Sequence, residues 1–232
     1  MPVILNCVRW TSSNPTRPRL RADQGAGRLC ILVTLSILID MSDQSRHVLN
    51  VEQTLIDLLK SDPVRWHALS CVEALDIPTA CIAAGFVRNM VWDHFHHRTS
   101  DCRRSDLDVV WYDPDRLDPK FDSDLEAALR IIDPTFNWSV KNQARMHDRN
   151  GDPAYTSVED AMRYWPETAT ATAAQKRANI CSIIAPFGLG DLMELVLRPA
   201  SLLPHKRAAF DERAQKKGWL STWPQLTIAE AR

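Results

Sequence analysis

From residue 46 onward, the chain alternates short apolar segments typical of strands with longer segments that have helical periodicity. Strands are predicted over residues 79–84, 106–112, 137–140 and 180–184. Helices are predicted over residues 51–59, 61–75, 86–97, 123–132, 142–149, 191–196 and 206–217, with a turn region over 114–122. Strands that alternate with helices favour an α/β (α+β) core with helices packed on a sheet.

Composition and charge limit the kinds of partner that the chain can have. Its 232 residues include 28 Lys+Arg and 29 Asp+Glu, for a net charge of −1. This balance disfavours a protein that coats nucleic acid through general basicity, although a local basic patch is compatible with it. The six cysteines form no C-x-x-C pair and match neither a zinc ribbon nor a secreted disulfide framework. We therefore expect reduced thiols and a cytoplasmic protein that does not bind membranes.

The first 45 residues differ in composition from the rest of the chain. Residues 1–40 contain five arginines and no lysine, and they end in an apolar run over residues 29–39. Eleven apolar residues are too few for a membrane-spanning helix, which needs about 20. Three interpretations stay open: a mis-assigned extension upstream of a true start at Met41, a genuine additional segment, or a signal peptide that lacks a typical cleavage site. We expect a flexible extension over 1–45 and one domain over 46–232 with a helical C-terminal part.

A strand-to-helix turn is predicted at Gly85, between the strand over 79–84 and the helix over 86–97. Such a turn points backbone N–H groups and the positive end of a helix dipole at an anion. Arg88, in the first helical turn, adds a donor for a charge-assisted hydrogen bond to phosphate. Taken alone the pattern is weak, because many ordinary strand–helix turns contain glycine.

Asp106 and Asp108 are two residues apart on the strand predicted over 106–112. Side chains on a strand alternate with a period of two, so both carboxylates lie on one face. Two adjacent carboxylates repel each other, and a divalent cation relieves that repulsion. Oxygen ligands suit Mg²⁺, and metal ions can stabilise both the attacking and the leaving oxygen in phosphoryl transfer. Taken alone, the pair is also typical of a solvated strand end.

The glycine turn, the basic loop at 98–105 and the two aspartates, in this order, resemble the DNA polymerase β-like nucleotidyltransferase superfamily. Five separated blocks further resemble a bacterial family of uncharacterised nucleotidyltransferase-like proteins: residues 85–93, 106–110, 138–147, 164–170 and 185–192. This resemblance extends from about residue 50 to the C-terminus. It implies a mixed sheet with flanking helices and with helical additions at both ends. Apart from this resemblance, packing on the core or as a lid is the simplest role for Trp219 and Trp223 of the tail.

The resemblance also implies the site residues. Asp106 and Asp108 would be catalytic and would bind Mg²⁺ or Mn²⁺, with a nucleoside triphosphate as substrate. The residues implied in nucleotide binding are Gly85, Phe86, Arg88, Asn89, Lys141, Asn142 and Arg145. The superfamily's third carboxylate would fall at Ser139, and acids nearby in sequence that could replace it are Asp148, Asp152, Glu167 and Asp191.

The predicted function is therefore a metal-dependent transfer of a nucleoside monophosphate from a nucleoside triphosphate to an unknown acceptor. A small molecule, a protein side chain and tRNA are all open as that acceptor. The alternative is a non-catalytic nucleotide-binding or regulatory protein that retains the fold, which Ser139 and the replacement of a small residue by Phe86 favour. The sequence does not indicate an oligomeric state.

Overall fold

The computed structural model describes residues 43–99 and 101–231, with the backbone alone described for residues 43–49. The extension predicted over residues 1–45 and the alternative start at Met41 lie outside the described residues, except that residues 43–45 belong to the first helix. No helix in the described part of the chain is both long enough and apolar enough to cross a bilayer.

One mixed five-stranded sheet forms the centre of the domain. Its strands are β1 (Cys81–Ala83), β2 (Asp106–Trp111), β3 (Asn137–Asn142), β4 (Ala173–Arg177) and β5 (Ile180–Ile184). They lie in the order β3-β2-β1-β4-β5, with β2 and β3 parallel and the other neighbours antiparallel. The predicted mixed α/β architecture is confirmed.

Helices flank this sheet and extend beyond it at both ends of the described chain. The longer helices are α1 (Asp43–Ser61), α2 (Pro63–Glu73), α3 (Gly85–Phe95), α4 (Pro119–Ile132) and α8 (Pro204–Lys216). The shorter ones are α5 (Met146–Asn150), α6 (Val158–Met162), α7 (Gly190–Met193) and α9 (Trp219–Thr222), with 3-10 turns at Cys102–Arg104 and Gln143–Arg145. A small parallel pair, β6 (Val196–Leu197) and β7 (Thr227–Ile228), completes the C-terminal part.

An Asp-Pro pair begins both α2 and α4. Asp62 caps α2 by accepting hydrogen bonds from the amides of Val64 and Arg65, each at 3.0 Å. Asp118 caps α4 in the same way, with its Oδ1 2.8 Å from the amide of Lys120. Proline is tolerated at the first helical position because its missing N–H has no acceptor there. The same signal at Asp118-Pro119 places the start of α4 at Pro119, so the turn predicted over 114–122 is too long and the helix predicted from residue 123 begins too late.

The sequence analysis also missed strand β4. Its residues are Ala, Ala, Gln, Lys and Arg, which have low strand propensity, and its position between β1 and β5 decides its conformation. A two-residue turn with positive φ at Ala178 (46°) and Asn179 (65°) joins β4 to β5. Hairpin turns of this kind usually contain Asn-Gly or Asp-Gly, and Ala178-Asn179 lacks that signal.

Tryptophans from the C-terminal segment pack on α3. The ring of Trp92 lies 5.9 Å from that of Trp219 and 5.0 Å from that of Trp223, both edge-on. Trp223 also donates from Nε1 to Oδ1 of buried Asp93 at 2.8 Å. The expected packing of Trp219 and Trp223 is confirmed, and it holds α9 against the helix that follows β1.

The helix predicted over residues 142–149 is wrong at its start. Asn142 ends β3, and a 3-10 turn separates it from α5. The Asn142 side chain is fully buried and donates to the carbonyl oxygens of Asp113 and Arg116, each at 2.8 Å. Arg145 forms an ion pair with buried Asp122 of α4. Asn142 and Arg145 therefore do not share a helix face, because each is held by the segment between β2 and β3.

We predict that Asp122→Ala destabilises the protein by about 3 kcal/mol, because it leaves the partly buried charge of Arg145 without its partner. Asp122 also accepts from Nε1 of Trp111 and from the amide of Asn142, each at 2.8 Å. Urea unfolding measures the effect. The matched control is Asp124→Ala on the same helix, whose exposed pair with Lys120 should contribute less than about 1 kcal/mol. Equal losses in the two variants would contradict this account.

Candidate active site

The turn between β1 and α3 places a row of backbone amides at the C-terminal end of β1, the central strand of the sheet. Ala84 has φ 55° and ψ −121°, a conformation that non-glycine residues rarely adopt. Its amide donates to the carbonyl of Thr172 at 3.0 Å, which ties the turn to the segment before β4. No side chain in the described part of the chain caps α3. The first amides of α3 are therefore available to an anion.

Gly85 does not adopt the positive φ that a glycine in a tight turn often has. Its φ is not positive, so Ala84 and not Gly85 adopts the unusual conformation. A Cβ at Gly85 would lie 3.4 Å from Nδ2 of Asn89 and 3.7 Å from Nη2 of Arg88. The glycine thus leaves open the space between the start of α3 and these two polar side chains.

Strand pairing brings the two aspartates beside this turn. Asp108 lies opposite Ala83 on antiparallel β1 and beside Ser139 on parallel β3. Asp106, two residues earlier on the same face, is exposed and accepts a hydrogen bond from Nδ2 of Asn137. The carboxylate pair and the amides of α3 therefore face one region.

Burial raises the pKa of Asp108, and the neighbouring negative charge of Asp106 raises it further. The positive charges of Arg88, Arg213 and Lys217 act in the opposite direction without cancelling this rise. The charged form of Asp108 is thus under-compensated in the protein alone. Additional positive charge at this position would stabilise it.

Two cavities meet at Asp108. The first, which we call the α3 cavity, has a volume of about 440 Å³ and is lined by residues that include Gly85, Arg88, Asn89, Asp106 and Lys217. The second, which we call the β3 cavity, has a volume of about 260 Å³ and is lined by residues that include Ser139, Lys141, Gln143, Met146 and Trp165. Ala84, Asp108 and Arg213 line both.

Arg88 is a buried cation on the wall of the α3 cavity. Its guanidinium lies 4.9 Å from the ring of Trp92 and 4.6 Å from that of Trp219. It donates to Oγ1 of Thr170 at 2.7 Å and to Oδ1 of Asn89 at 2.9 Å. Burial lowers the pKa of Arg88 to about 10, so the side chain remains charged at neutral pH. The tryptophan rings and these hydrogen bonds fix the direction of the guanidinium.

Arg213, at the junction of the two cavities, was not found by the sequence analysis. It belongs to α8 and donates from Nε to Oε1 of Glu167 at 2.7 Å. The Glu167 side chain is fully buried, whereas that of Arg213 is 38 % exposed. Glu167, considered above as a replacement carboxylate, therefore orients Arg213 instead. No local sequence signal connects these two residues, which are 46 positions apart.

The structure brings together most of the residues implied by the resemblance, but not all of them. Those that line a cavity are Gly85, Arg88, Asn89, Asp106, Asp108 and Lys141. The Phe86 side chain packs in the core, and Asn142 and Arg145 make the contacts with the β2–β3 segment described above. A nucleotide could meet Phe86 only through its backbone.

Ser139 stands beside Asp108, where the third carboxylate was expected. Asp152 pairs with Lys206 at 2.6 Å, Asp191 pairs with Arg198 at 3.0 Å, and Asp148 is exposed beside His147. Among the residues that the structure describes, Asp106 and Asp108 are the carboxylates that line the two cavities.

We predict that Asp108→Asn stabilises the metal-free protein at pH 7. The folded-state pKa of Asp108 is raised, so the folded protein keeps this proton to a higher pH than the unfolded chain does. The contribution of Asp108 to the free energy of unfolding therefore falls as the pH rises from the pKa of this carboxyl in the unfolded chain through its raised pKa in the folded protein. Thermal unfolding in the presence of a chelator should show a higher Tm for Asp108→Asn at pH 7, with the difference shrinking below about pH 4. Asp106→Asn, at the exposed position, should change Tm less, and a lower Tm for Asp108→Asn at pH 7 would refute this assignment.

Solved structures with the same architecture include nucleotide-transferring enzymes. A protein whose NMR structure reveals a CCA-adding enzyme head domain is 27% identical, with a TM-score of 0.67 over 77% of this chain and 96% of that one. A CCA-adding enzyme in complex with CTP is 14% identical, with a TM-score of 0.53 over 76% of this chain, and shares the fold. The match spans 43% of that enzyme. The comparison with curated proteins gave no match.

A family model described as nucleotidyltransferase matches residues 70–228. The match begins within α2 and ends in β7, so it includes the glycine turn, both aspartates and the C-terminal helices that position Arg213. This chain belongs to that nucleotidyltransferase family.

Proposed function

We propose that the protein catalyses metal-dependent transfer of a nucleoside monophosphate from a nucleoside triphosphate to an acceptor hydroxyl. The observation that supports this most is the meeting, at one cavity, of the Asp106 and Asp108 carboxylates with the uncapped start of α3. In the reaction, the acceptor oxygen would form a bond to the α-phosphorus while the bond to the bridging oxygen of the β-phosphate breaks. Pyrophosphate would leave, and the hydroxyl proton would pass to water.

The donor set suits Mg²⁺ or Mn²⁺. Asp106 and Asp108 would supply two hard oxygen ligands on one face of β2, and a cation there would favour the charged form of Asp108, whose pKa is raised by burial and by the charge of Asp106. A bound ion would supply Lewis-acid stabilisation of charge on the reacting phosphate. Asn137 holds the Asp106 carboxylate through its hydrogen bond and so fixes one ligand before binding.

The α3 cavity suits a triphosphate. Its lining combines the guanidinium groups of Arg88 and Arg213 with Lys217 and the first amides of α3. Guanidinium groups form paired, charge-assisted hydrogen bonds with phosphate oxygens. Because Glu167 and the tryptophan rings already orient the two arginines, little side-chain entropy is lost on binding.

The β3 cavity suits a planar group such as a base. Trp165 and Met146 supply apolar surface, and Gln143 and Asn150 supply amide donors and acceptors that can contact base edges. Base stacking on an aromatic side chain contributes about 1–3 kcal/mol. CTP is the first triphosphate to test, because the similar CCA-adding enzyme was solved with CTP. The acceptor stays open among a small molecule, a protein and tRNA.

We predict that the double variant Asp106→Asn/Asp108→Asn loses at least about 10³-fold in turnover, because metal stabilisation contributes several kcal/mol and each 1.36 kcal/mol is tenfold. The assay measures pyrophosphate release and transfer of α-labelled phosphate from each nucleoside triphosphate, with Mg²⁺ or Mn²⁺ and each acceptor class. The matched control is Asp101→Asn, whose exposed partner is Arg103 and which lines neither cavity. Full turnover in the double variant would refute the mechanism.

A second candidate function is nucleotide binding without transfer. It is favoured by Ser139 beside Asp108 and by the engagement of Glu167, Asp152 and Asp191 in ion pairs elsewhere. This candidate predicts that a triphosphate raises the Tm of the wild-type protein with no pyrophosphate release for any acceptor class. The same assay plates, followed by thermal unfolding, distinguish the two functions.

A further inference from the structure

Three potential metal ligands meet outside the active site, where α2 approaches the turn between α4 and β3. They are His67 and Cys71 of α2 and Asp133, the residue that follows α4. Nε2 of His67 lies 2.9 Å from Oδ2 of Asp133 and 3.6 Å from Sγ of Cys71. One ligand atom from each side chain lies within 4.8 Å of the other two. These three residues are not among those that line the α3 cavity or the β3 cavity.

We propose that His67, Cys71 and Asp133 form a Zn²⁺-binding site. Zinc takes nitrogen, sulfur and oxygen ligands in tetrahedral geometry with bonds of about 2.0–2.3 Å, which places neighbouring ligand atoms about 3.3–3.8 Å apart. The observed separations around Nε2 of His67 are close to those values, so small side-chain rotations suffice to enclose an ion. Three protein ligands leave the fourth position to water.

The helix supplies the spacing of the first two ligands. His67 and Cys71 are four residues apart in α2, so their side chains lie on one face of the helix. The Cys71 residue is only 2 % exposed, whereas the His67 side chain is 57 % exposed. The sulfur thus faces the interior and the imidazole borders solvent, so an ion would reach the cluster from the side of His67.

The third ligand is oriented by its own hydrogen bonds. Oδ1 of Asp133 accepts from the amide of Thr135 at 2.8 Å and from its Oγ1 at 2.6 Å. The backbone carbonyl of Asp133 accepts from Nε1 of Trp138 at 2.9 Å. These bonds direct the second carboxylate oxygen toward His67. Metal-binding carboxylates typically have such supporting partners, which hold the ligand before the ion binds.

The chemistry of this site differs from that of the Asp106–Asp108 pair. A thiolate and an imidazole prefer Zn²⁺, whereas two carboxylates prefer Mg²⁺ or Mn²⁺. Burial raises the pKa of Cys71 to about 11, and the charge of Asp133 adds to that rise, so the metal-free site holds a thiol. Zn²⁺ would replace that proton and link α2 to the α4–β3 turn. This proposal stands independently of the transferase activity.

The test is a titration of the reduced full-length protein with Co²⁺, a spectroscopic substitute for Zn²⁺ whose bond to a thiolate gives a charge-transfer band. We expect the band in the wild type, its loss in Cys71→Ser, and its retention in Cys181→Ser, a buried cysteine outside the cluster. Competition with Zn²⁺ should remove the band. Since Cys71→Ser could perturb the core, His67→Ala at the exposed position should also abolish the band in a protein with wild-type circular dichroism.

A variant of the supporting residue tests the geometry further. Thr135→Val removes one hydrogen bond to Asp133 and should weaken Zn²⁺ binding by roughly 10-fold in isothermal titration. The proposal is overturned if the wild type gives no thiolate band, or if His67→Ala and Cys71→Ser both keep it. It is also overturned if Asp133→Asn and Thr135→Val bind Zn²⁺ as tightly as the wild type.

Discussion

The proposed site depends on the burial of the Asp108 carboxylate beside a second carboxylate, Asp106, on the same face of β2. Asp106 and Asp108 are two residues apart on β2, which pairs with β3 at both residues and with β1 at Asp108. Burial and the charge of Asp106 raise the pKa of Asp108, and the surrounding cations offset this only in part. The protein therefore keeps a position at which an added positive charge is favoured, next to the amides of α3 that favour an anion. The proposed complex of a divalent cation with a triphosphate would meet both requirements.

The C-terminal helices α8 and α9 form part of this candidate site and do not merely pack on the sheet. Arg213 comes from α8 and is oriented by fully buried Glu167, while Trp219 of α9 covers the guanidinium of Arg88. Each contact joins a cation at the cavity wall to a residue far away in the sequence. Removing the C-terminal segment would therefore expose Trp92, take Arg213 away from buried Glu167 and remove Trp219 from the guanidinium of Arg88. The family match includes this segment as far as residue 228.

The sequence predicted the parts of the site that depend on local periodicity. The shared face of Asp106 and Asp108 follows from the period of a strand, and the amides near Gly85 follow from a strand directly before a helix. Arg213 was missed because its position depends on a tertiary ion pair with Glu167. Strand β4 was missed because its place in the sheet overrides its low propensity, and α4 was predicted too short because the cap at Asp118 was overlooked. Asn142 and Arg145 fall within the helix that was predicted over residues 142–149, whereas buried hydrogen bonds and an ion pair hold them toward the β2–β3 segment.

Anomalous diffraction from crystals grown with Mn²⁺ and a non-hydrolysable CTP analogue would locate the metal and the triphosphate directly. We expect a manganese peak bound by the carboxylates of both Asp106 and Asp108, with the triphosphate in the α3 cavity against Arg88 and Arg213. Manganese found only at other residues, or a triphosphate bound outside the α3 cavity, would contradict the proposed site.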